Sequence, residues 1–294
     1  MTTTLRSTLF SLLSLSLLAV LPACKRSEPA SGSEATPAAA KGDNTVTVKG
    51  SDTMVVLGQR WAEDYMKKNP GTTLQVTGGG SGTGIAALVN GTTDIAMSSR
   101  SIKDPEKQQV QSRHKAEAKE IAVAKDGVTF YVHESNPLTS LTQEQLRGIY
   151  LGDTTNWKDV GGADAPIVVY SRENSSGTYV FVKDEVLKGE DFTPNALTLP
   201  GTAAVVNAVS KEKNGIGYGG AAYSKGIKEL KVKVGTEEVA PSQENIQSGK
   251  YPLSRNLFFY VRGEPAGAVK QFIEFALSAE GQQIVTQAGY FPVK

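Results

Sequence analysis

Short apolar runs and longer amphipathic segments alternate along most of the chain. Brief apolar or alternating runs bounded by Gly, Pro, Asn or Asp are typical of strands, whereas apolar residues at helical spacing indicate helices. The alternation predicts an α/β fold with largely parallel strands. Strands are predicted at residues 46–48, 74–76, 94–97, 120–132 and 167–170, and helices at 54–68, up to 89, 108–119 and, as an amphipathic pair, over 269–284.

A turn rich in Gly, Ser and Thr follows each of four predicted strands, at residues 51–53, 81–84, 98–99 and 176–178. In open α/β sheets the crevice beyond the carboxyl ends of the strands is where ligands bind, because helix N-termini point unpaired N–H groups into it. Ser and Thr are also favoured helix N-caps, so each turn taken alone has two interpretations. The four turns together predict a binding site.

Residues 172–178, Arg-Glu-Asn-Ser-Ser-Gly-Thr, are the most informative of these segments. A guanidinium can fork two hydrogen bonds onto one oxyanion, and small residues at a helix start let N–H groups and hydroxyls converge on the other oxygens. The segment therefore predicts capture of an anion.

The N-terminus has the layout of a signal peptide. Arg6 precedes an apolar run over residues 9–21, which is too short for an ordinary membrane span. Cys24 is the only cysteine and closes this run, where a bacterial lipoprotein is cleaved and acylated. The alternative is an ordinary signal peptide with an incidental cysteine, but a lone thiol is unusual in an oxidising compartment.

Composition divides the remaining chain. Residues 25–44 are mostly Ser, Gly, Glu, Ala, Pro, Thr and Lys, which predicts a disordered tether. The folded part begins near residue 45 and is long enough for two modest domains or one larger unit. The formal net charge is +1 and the basic residues are dispersed, so the chain lacks the electrostatic footprint of a nucleic-acid partner. Any anion site must be local.

The sequence contains neither a complete P-loop nor a complete nucleophile elbow. In the glycine-rich turn, Ile85 and Ala86 stand where a P-loop needs Lys and Ser or Thr, and Thr83 stands where a nucleophile elbow needs its last glycine. His114 and His133 are the only histidines, and both lie in polar contexts that predict exposed surface. We therefore expect no enzyme activity, no metal and no cofactor.

The chain resembles the periplasmic phosphate-binding proteins, the substrate-binding subunits of high-affinity phosphate ABC importers. Matching segments run in order through nearly all of the mature chain, and the Arg172 loop and the Asn156-Trp157 segment are the most specific. The matching segments are residues 50–54, 79–84, 94–100, 146–152 with 156–157 and 161–162, 172–178, 215–218 and 251–255.

The resemblance implies a type II periplasmic-binding-protein fold, in which two α/β lobes joined by two crossover strands close around a ligand cleft. The crossovers are expected near residues 128–133 and 255–261. Lobe 1 would comprise residues 45–130 plus 256–294, and lobe 2 residues 131–255, after a signal peptide at 1–24 and a tether at 25–44. Trp157 and Tyr218 are interpreted as packing residues.

The resemblance also implies the phosphate ligands. Where this chain has Ser99, many relatives have an acid that accepts a proton from phosphate and rejects sulfate; Asp52 is either a substitute acceptor or a helix cap. Asn174 stands where some relatives place an acid against the arginine. The implied ligand-binding residues are Thr53, Met54, Ser81, Ser99, Arg172, Asn174, Ser176, Gly177 and Thr178.

The implied function is high-affinity binding of inorganic phosphate outside the cytoplasmic membrane and delivery to the membrane permease of an ABC importer. The protein would be a lipid-anchored monomer in the periplasm or on the cell surface. Two alternatives stay open. One is a receptor for sulfate, molybdate or tungstate, and the other is a surface or signalling lipoprotein that keeps the fold for partner contact or as a phosphatase-like enzyme.

Overall fold

A computed structural model describes residues 44–293. The predicted signal peptide, Cys24 and the tether up to residue 43 lie outside the described residues. The strands are β1 Thr45–Gly50, β2 Thr73–Thr77, β3 Ile95–Ser98, β4 Ala118–Val132, β5 Ser140–Thr142, β6 Val168–Arg172, β7 Leu197–Leu199, β8 Gly215–Gly220, β9 Lys228–Val234, β10 Glu237–Val239 and β11 Ser254–Arg262. The helices are α1 Val55–Lys68, α2 Ser81–Val89, α3 Asp104–His114, α4 Gln143–Leu151, α5 Gly177–Glu185, α6 Gly201–Val209, α7 Gln243–Gln247, α8 Gly267–Leu277 and α9 Ala279–Gln287.

The strands form two sheets that share β4. Sheet 1 has the order β2-β1-β3-β11-β4, with β1 parallel to β2 and β3 and with β11 antiparallel to β3 and β4. Sheet 2 continues from the second part of β4 through β8, β6 and β7, and β9 pairs with the other side of β4. The mixed α/β fold predicted from the alternation of elements is confirmed.

Each sheet has its own apolar core. The core of sheet 1 forms where alternating valines of β1 meet the apolar face of α1 and the C-terminal helices α8 and α9. Trp61 is buried there, and its indole Nε1–H donates to the Gly281 carbonyl at 2.8 Å. The core of sheet 2 gathers Phe130, Tyr150 and Trp157 around β4 and α4. The two cores place the carboxyl ends of both sets of parallel strands at one shared boundary.

β4 passes from one sheet to the other along its length. Its residues 118–127 pair with β11, whereas Val128 to Val132 pair with β8 and belong to the second core. The return crossing precedes Ser254, and the two crossings touch, since the Val128 N–H donates to the Leu253 carbonyl at 2.9 Å. The lobe boundaries given by the sequence stay a prediction. In β4 the strand partners change at 127/128, and β11, which follows the return crossing, begins at Ser254.

One predicted helix is displaced. Residues 108–119 were expected to be helical, but α3 covers Asp104–His114 and residues 118 and 119 already belong to β4. The helix buries only Val110, so its apolar pattern carries little positional information. Its start is set instead by Pro105 in the first turn and by the Glu106 carboxylate, which accepts from the Lys103 N–H at 2.8 Å.

Within residues 44–293, no helix is both long and apolar enough to cross a membrane.

Candidate functional site

Three serines from three strand ends of sheet 1 form one buried cluster. Ser51 follows β1, Ser81 begins α2 after β2, and Ser99 follows β3. The Ser51 Oγ–H donates to Ser99 Oγ at 2.9 Å, and the Ser99 N–H donates to Ser81 Oγ at 3.0 Å. Ser81 Oγ and Ser99 Oγ also lie 3.3 Å apart, and either can donate to the other. Because both oxygens already accept, their hydroxyl protons are what this pair can offer to a ligand, in place of the bond between them.

The start of α5 supplies the second set of groups, from sheet 2. β6 ends at Arg172, and a turn leads to Ser176, which caps the helix by accepting from the Tyr179 N–H at 3.2 Å. Gly177 and Thr178 are the first two helical residues and are buried. Their N–H groups have no acceptor within the helix, as at any helix N-terminus, and the helix dipole favours an anion there.

These two sets of groups are in contact across the boundary between the sheets. Thr53 Oγ1 and Thr178 Oγ1 lie 2.9 Å apart, and the Gly82 N–H donates to the Ser175 carbonyl at 2.9 Å. A Cβ atom added to Gly177 would lie 2.3 Å from Ser81 Oγ. The four turns predicted to share a site therefore converge, and glycine is required at residue 177 for that close approach.

Arg172 lies at this boundary, and its side chain is only 1% exposed. Its Nη2 donates to Asp52 Oδ2 at 2.8 Å, its Nη1 to Thr202 Oγ1 at 3.0 Å and its Nε to Glu173 Oε2 at 3.3 Å. A guanidinium carries five N–H donors, so each terminal nitrogen keeps a second N–H beyond these bonds. The arginine is held by acids and can still fork onto an anion.

Asp52 holds this arginine in place. Its Oδ1 also accepts from the Gly79 N–H at 2.8 Å, so its carboxylate ties β1, the glycine-rich turn and Arg172 together. Among the described hydrogen bonds, it caps no helix with its side chain. The helix-cap interpretation of Asp52 is thus not what the structure has, and its oxygens are already used for N–H donors.

Two predicted ligand groups are placed differently from the rest. The Met54 N–H donates to the Ser51 carbonyl at 2.9 Å within a 3₁₀ turn, so it can reach a ligand only by sharing that bond. Asn174 is exposed on the turn before α5, and no hydrogen bond of its side chain is found among the described contacts. The structure brings together Thr53, Ser81, Ser99, Arg172, Ser176, Gly177 and Thr178.

Sequence reasoning missed a second arginine at the same boundary. Arg255 is the second residue of β11 and is buried. It donates from Nη2 to Thr178 Oγ1 at 2.9 Å and to Asp126 Oδ2 at 2.8 Å. The signal available was a charged residue at the edge of an apolar strand, in each of β4 and β11. That signal does not predict that the charged residue of β11 forms an ion pair with the charged residue of β4.

The remaining candidates for chemistry lie elsewhere. His114 contacts the Val89 carbonyl through Nε2 at 2.9 Å, at the end of α2 that is about 12 Å from Ser81. His133 contacts Ser135 Oγ in an exposed turn. No group of three or more His, Cys, Asp or Glu side chains in residues 44–293 is arranged to hold a metal ion. Trp157 and Tyr218 are both buried packing residues, as interpreted from the sequence.

Comparison with known proteins places this geometry in a family. A family model described as a PBP superfamily domain matches residues 35–280. The phosphate-binding protein PstS of Pseudomonas aeruginosa is 35% identical over 263 residues, which cover 83% of this chain and 81% of that protein.

Solved structures agree with the sequence match. A putative phosphate ABC transporter substrate-binding protein of Clostridium perfringens, solved with bound phosphate, is 34% identical with a TM-score of 0.79 and covers 85% of this chain and 100% of its own. An ABC-type phosphate transport receptor from Vibrio cholerae is 32% identical with a TM-score of 0.68, covering 84% and 99% respectively.

Proposed function

Because the chain belongs to the PstS family of phosphate-binding proteins, within the PBP superfamily, we propose that it binds inorganic phosphate and delivers it to an ABC-type importer. The family consists of binding proteins, and the chain is not an enzyme. It works outside the cytoplasm, as a substrate-binding subunit does.

The observation that carries this proposal is the convergence of strand-end turns from both sheets on one buried boundary. Hydroxyls of Thr53, Ser81 and Ser99 come from sheet 1, and those of Ser176 and Thr178 come from sheet 2. The boundary is rich in donors and is closed from water, which suits a dehydrated tetrahedral anion better than a sugar or an amino acid. Asn174, exposed on its turn, belongs to the rim of the proposed site.

Affinity follows from the number of donors. A hydrogen bond to a charged group contributes a net of about 1.5–3 kcal/mol, so a few such bonds beyond the cost of closure reach the roughly 8 kcal/mol of micromolar binding. Arg172 adds a bidentate contact, and the start of α5 adds N–H groups with a favourable dipole. The binding free energy is therefore assigned to hydrogen bonds that hydroxyls, N–H groups and a guanidinium donate to a desolvated anion.

Closure is the conformational step of this proposal. Sheet 1 with its helices is one lobe, and sheet 2 with its helices is the other. Rotation of one lobe relative to the other, about the crossings at 127/128 and 253/254, opens and closes the boundary between them. The bond between Arg172 and Asp52 and the contact between Thr53 and Thr178 both join the lobes. An anion that adds further bonds across this boundary shifts the population to the closed form, which the permease recognises.

Selectivity for phosphate rests on groups other than an acid at residue 99. Ser99 Oγ accepts from Ser51, which leaves its proton to be donated to Ser81 Oγ, 3.3 Å away, or to an anion, and donation suits phosphate and sulfate alike. Asp52 is engaged by Arg172 and by the Gly79 N–H. Sulfate is therefore the anion that most sharply tests the proposal.

Isothermal titration of the full chain in detergent, freed of bound anion by unfolding and refolding, tests the function. Phosphate and then sulfate are titrated across pH 5 to 8, with an Arg172→Ala variant alongside. Micromolar or tighter phosphate binding without sulfate heat is expected, and Arg172→Ala should lose about 3–5 kcal/mol because it leaves buried anionic groups without their cation. Equal binding of sulfate would reassign the ligand, and near-native affinity in Arg172→Ala would remove Arg172 from the site.

The proposed location is the outer face of a membrane, through a lipid on Cys24. The support is the position of this cysteine directly after the apolar leader. Fractionation of cells that express the wild type or Cys24→Ala tests it. The wild type should sediment with membranes and the variant should be soluble; a Cys24→Ala protein that still sediments would contradict the lipid anchor.

A further inference from the structure

A buried ion pair lies where the two crossings meet. Arg255 of β11 and Asp126 of β4 are directly opposite each other in the strand register. Arg255 donates to Asp126 Oδ2 from Nε at 3.1 Å and from Nη2 at 2.8 Å, and the two side chains are 4% and 1% exposed. Buried charges of this kind are costly unless every polar atom has a partner.

The hydrogen bonds of this guanidinium are distributed unevenly. Besides Asp126, Nη2 also donates to Thr178 Oγ1 at 2.9 Å and is 3.4 Å from Thr53 Oγ1. One NH₂ group has two protons, and here it serves three oxygens. In contrast, Nη1 is buried with no hydrogen-bond partner among the described residues, and so is Asp126 Oδ1.

Burial dominates the electrostatics of the pair. Burial lowers the pKa of Arg255, although Asp126 opposes this shift, and burial raises the pKa of Asp126, although Arg255 opposes it. Their mutual attraction thus does not fully replace the water that each has lost. A further anion next to Arg255 would stabilise its positive charge.

An aromatic ring and a cavity lie next to the guanidinium. The Phe181 ring of α5 lies 5.3 Å from Arg255 Cζ, in cation–π contact. A cavity of about 430 Å³ is lined by Arg255, Ser99 and Phe181 among others, so the arginine shares its wall with one serine of the cluster. Arg255 therefore touches Thr53 and Thr178 directly and shares a cavity wall with Ser99.

From this geometry we propose that Arg255 is a second anion-binding guanidinium of the cleft and that Asp126 positions it, an inference that rests on the proposed function. Nη1 is the donor to the oxyanion, and Nη2 orders the hydroxyls of Thr53 and Thr178 around it. Arg172 and Arg255 then hold one tetrahedral dianion, each balanced by its own carboxylate, Asp52 or Asp126.

Calorimetric titration of the full chain in detergent with inorganic phosphate tests the proposal. The variants are Arg255→Gln, Arg255→Lys, Asp126→Asn and the double variant Asp126→Asn with Arg255→Gln. Arg262→Gln is the matched control, because Arg262 lies on the same strand and donates to the carbonyls of Leu88 and Thr93 instead. Thermal melting without phosphate separates loss of binding from loss of folding.

Arg255→Gln is expected to weaken phosphate binding by about 10-fold or more, the loss of a charge-assisted hydrogen bond, while Arg262→Gln binds as the wild type does. If Arg255→Gln fails to fold, Arg255→Lys carries the test, because it keeps the charge opposite Asp126 but not the fork. Asp126→Asn should also weaken binding, and the double variant should be no weaker than Arg255→Gln, since a positioning residue acts through its partner.

Two results would overturn the inference. Phosphate binding by Arg255→Gln within twofold of the wild type, or by Arg255→Lys if Arg255→Gln does not fold, removes Arg255 from the site and leaves the proposed function standing. Independent, additive losses for Asp126→Asn and Arg255→Gln refute the positioning role. Absence of phosphate binding in the wild type itself would refute the proposed function, and this inference with it.

Discussion

Replacing Gly177 by Ala should weaken ligand binding without harming the fold. The added Cβ would lie 2.3 Å from Ser81 Oγ, 2.6 Å from Ser99 Oγ and 3.0 Å from Ser81 Cβ, where ordinary contacts begin at 3.4 Å. Turning the Ser81 hydroxyl away would break its bond with the Ser99 N–H and would still leave the contact with Ser81 Cβ too short. The two lobes must therefore separate by about 1 Å, and overpacking of this kind typically costs 1–3 kcal/mol.

That cost falls on the closed form alone. The unliganded protein can relieve the contact by opening, and the φ of Gly177 is not in the left-handed region. Ala at such a position restricts the unfolded chain, which typically stabilises a fold by about 0.4–1 kcal/mol, so the free energy of unfolding without ligand should not fall. The ligand-bound form cannot open, so the dissociation constant for phosphate should rise roughly 5- to 150-fold. The Gly177 N–H is kept in the variant, which separates closure from the loss of a donor.

Calorimetry with phosphate, thermal denaturation with and without phosphate, and small-angle X-ray scattering measure these effects. Gly71→Ala is the control, because a Cβ at Gly71 would meet nothing within 4 Å and its φ is not in the left-handed region. In Gly177→Ala the radius of gyration should no longer fall on phosphate addition as it does in the control. Phosphate affinity within twofold of the wild type would refute the argument that the contact at Gly177 limits closure.

Two further substitutions test the contact of Tyr218 with Arg172 and the carboxylate at the start of α3. Tyr218→Phe removes a hydroxyl that lies 2.9 Å from Ser171 Oγ and accepts from the Arg172 N–H at 3.2 Å; urea unfolding should show a loss of about 1–3 kcal/mol, and an unchanged midpoint would contradict it. Burial raises the pKa of Glu106, but hydrogen bonds from Arg100 and from a backbone N–H outweigh burial and leave that pKa lowered. The ionised carboxylate therefore stabilises the fold at any pH above its unfolded pKa of about 4.3, and this stabilisation is lost as the pH falls through the folded pKa. The difference in unfolding free energy between wild type and Glu106→Gln should therefore shrink between pH 6 and pH 3, and a constant difference would show that Glu106 is not the titrating group.

The apolar pattern was sufficient for the parallel strands and for the place of the site. Strands β1, β2 and β3 and the turns after them could be predicted because alternation and Gly, Ser and Thr turns are local signals. Since the carboxyl ends of parallel strands share one edge, convergence of the turns followed without knowledge of the strand order.

Partners of the charged residues could not be predicted in the same way. Asp52 and Arg172 form an ion pair although they are 120 residues apart in the sequence. Asp126 and Arg255 are 129 residues apart, and their pairing depends on the register between β4 and β11, which no local signal encodes. Asp52 consequently had two interpretations from the sequence, and Arg255 was predicted as part of a crossover and not as a ligand-binding residue. Helix α3 was displaced for a related reason, because a helix that buries one side chain has almost no apolar pattern to locate it.

The bond from the Gly82 N–H to the Ser175 carbonyl joins main-chain atoms only. Gly80 allows it, since a Cβ there would lie 2.6 Å from the same carbonyl oxygen. Substitution of the surrounding side chains does not delete this bond. Mutations can therefore change which anion the hydroxyls and arginines prefer, while this main-chain bond between the two lobes is kept. The scaffold is thus suited to acquiring new specificities by a few point mutations.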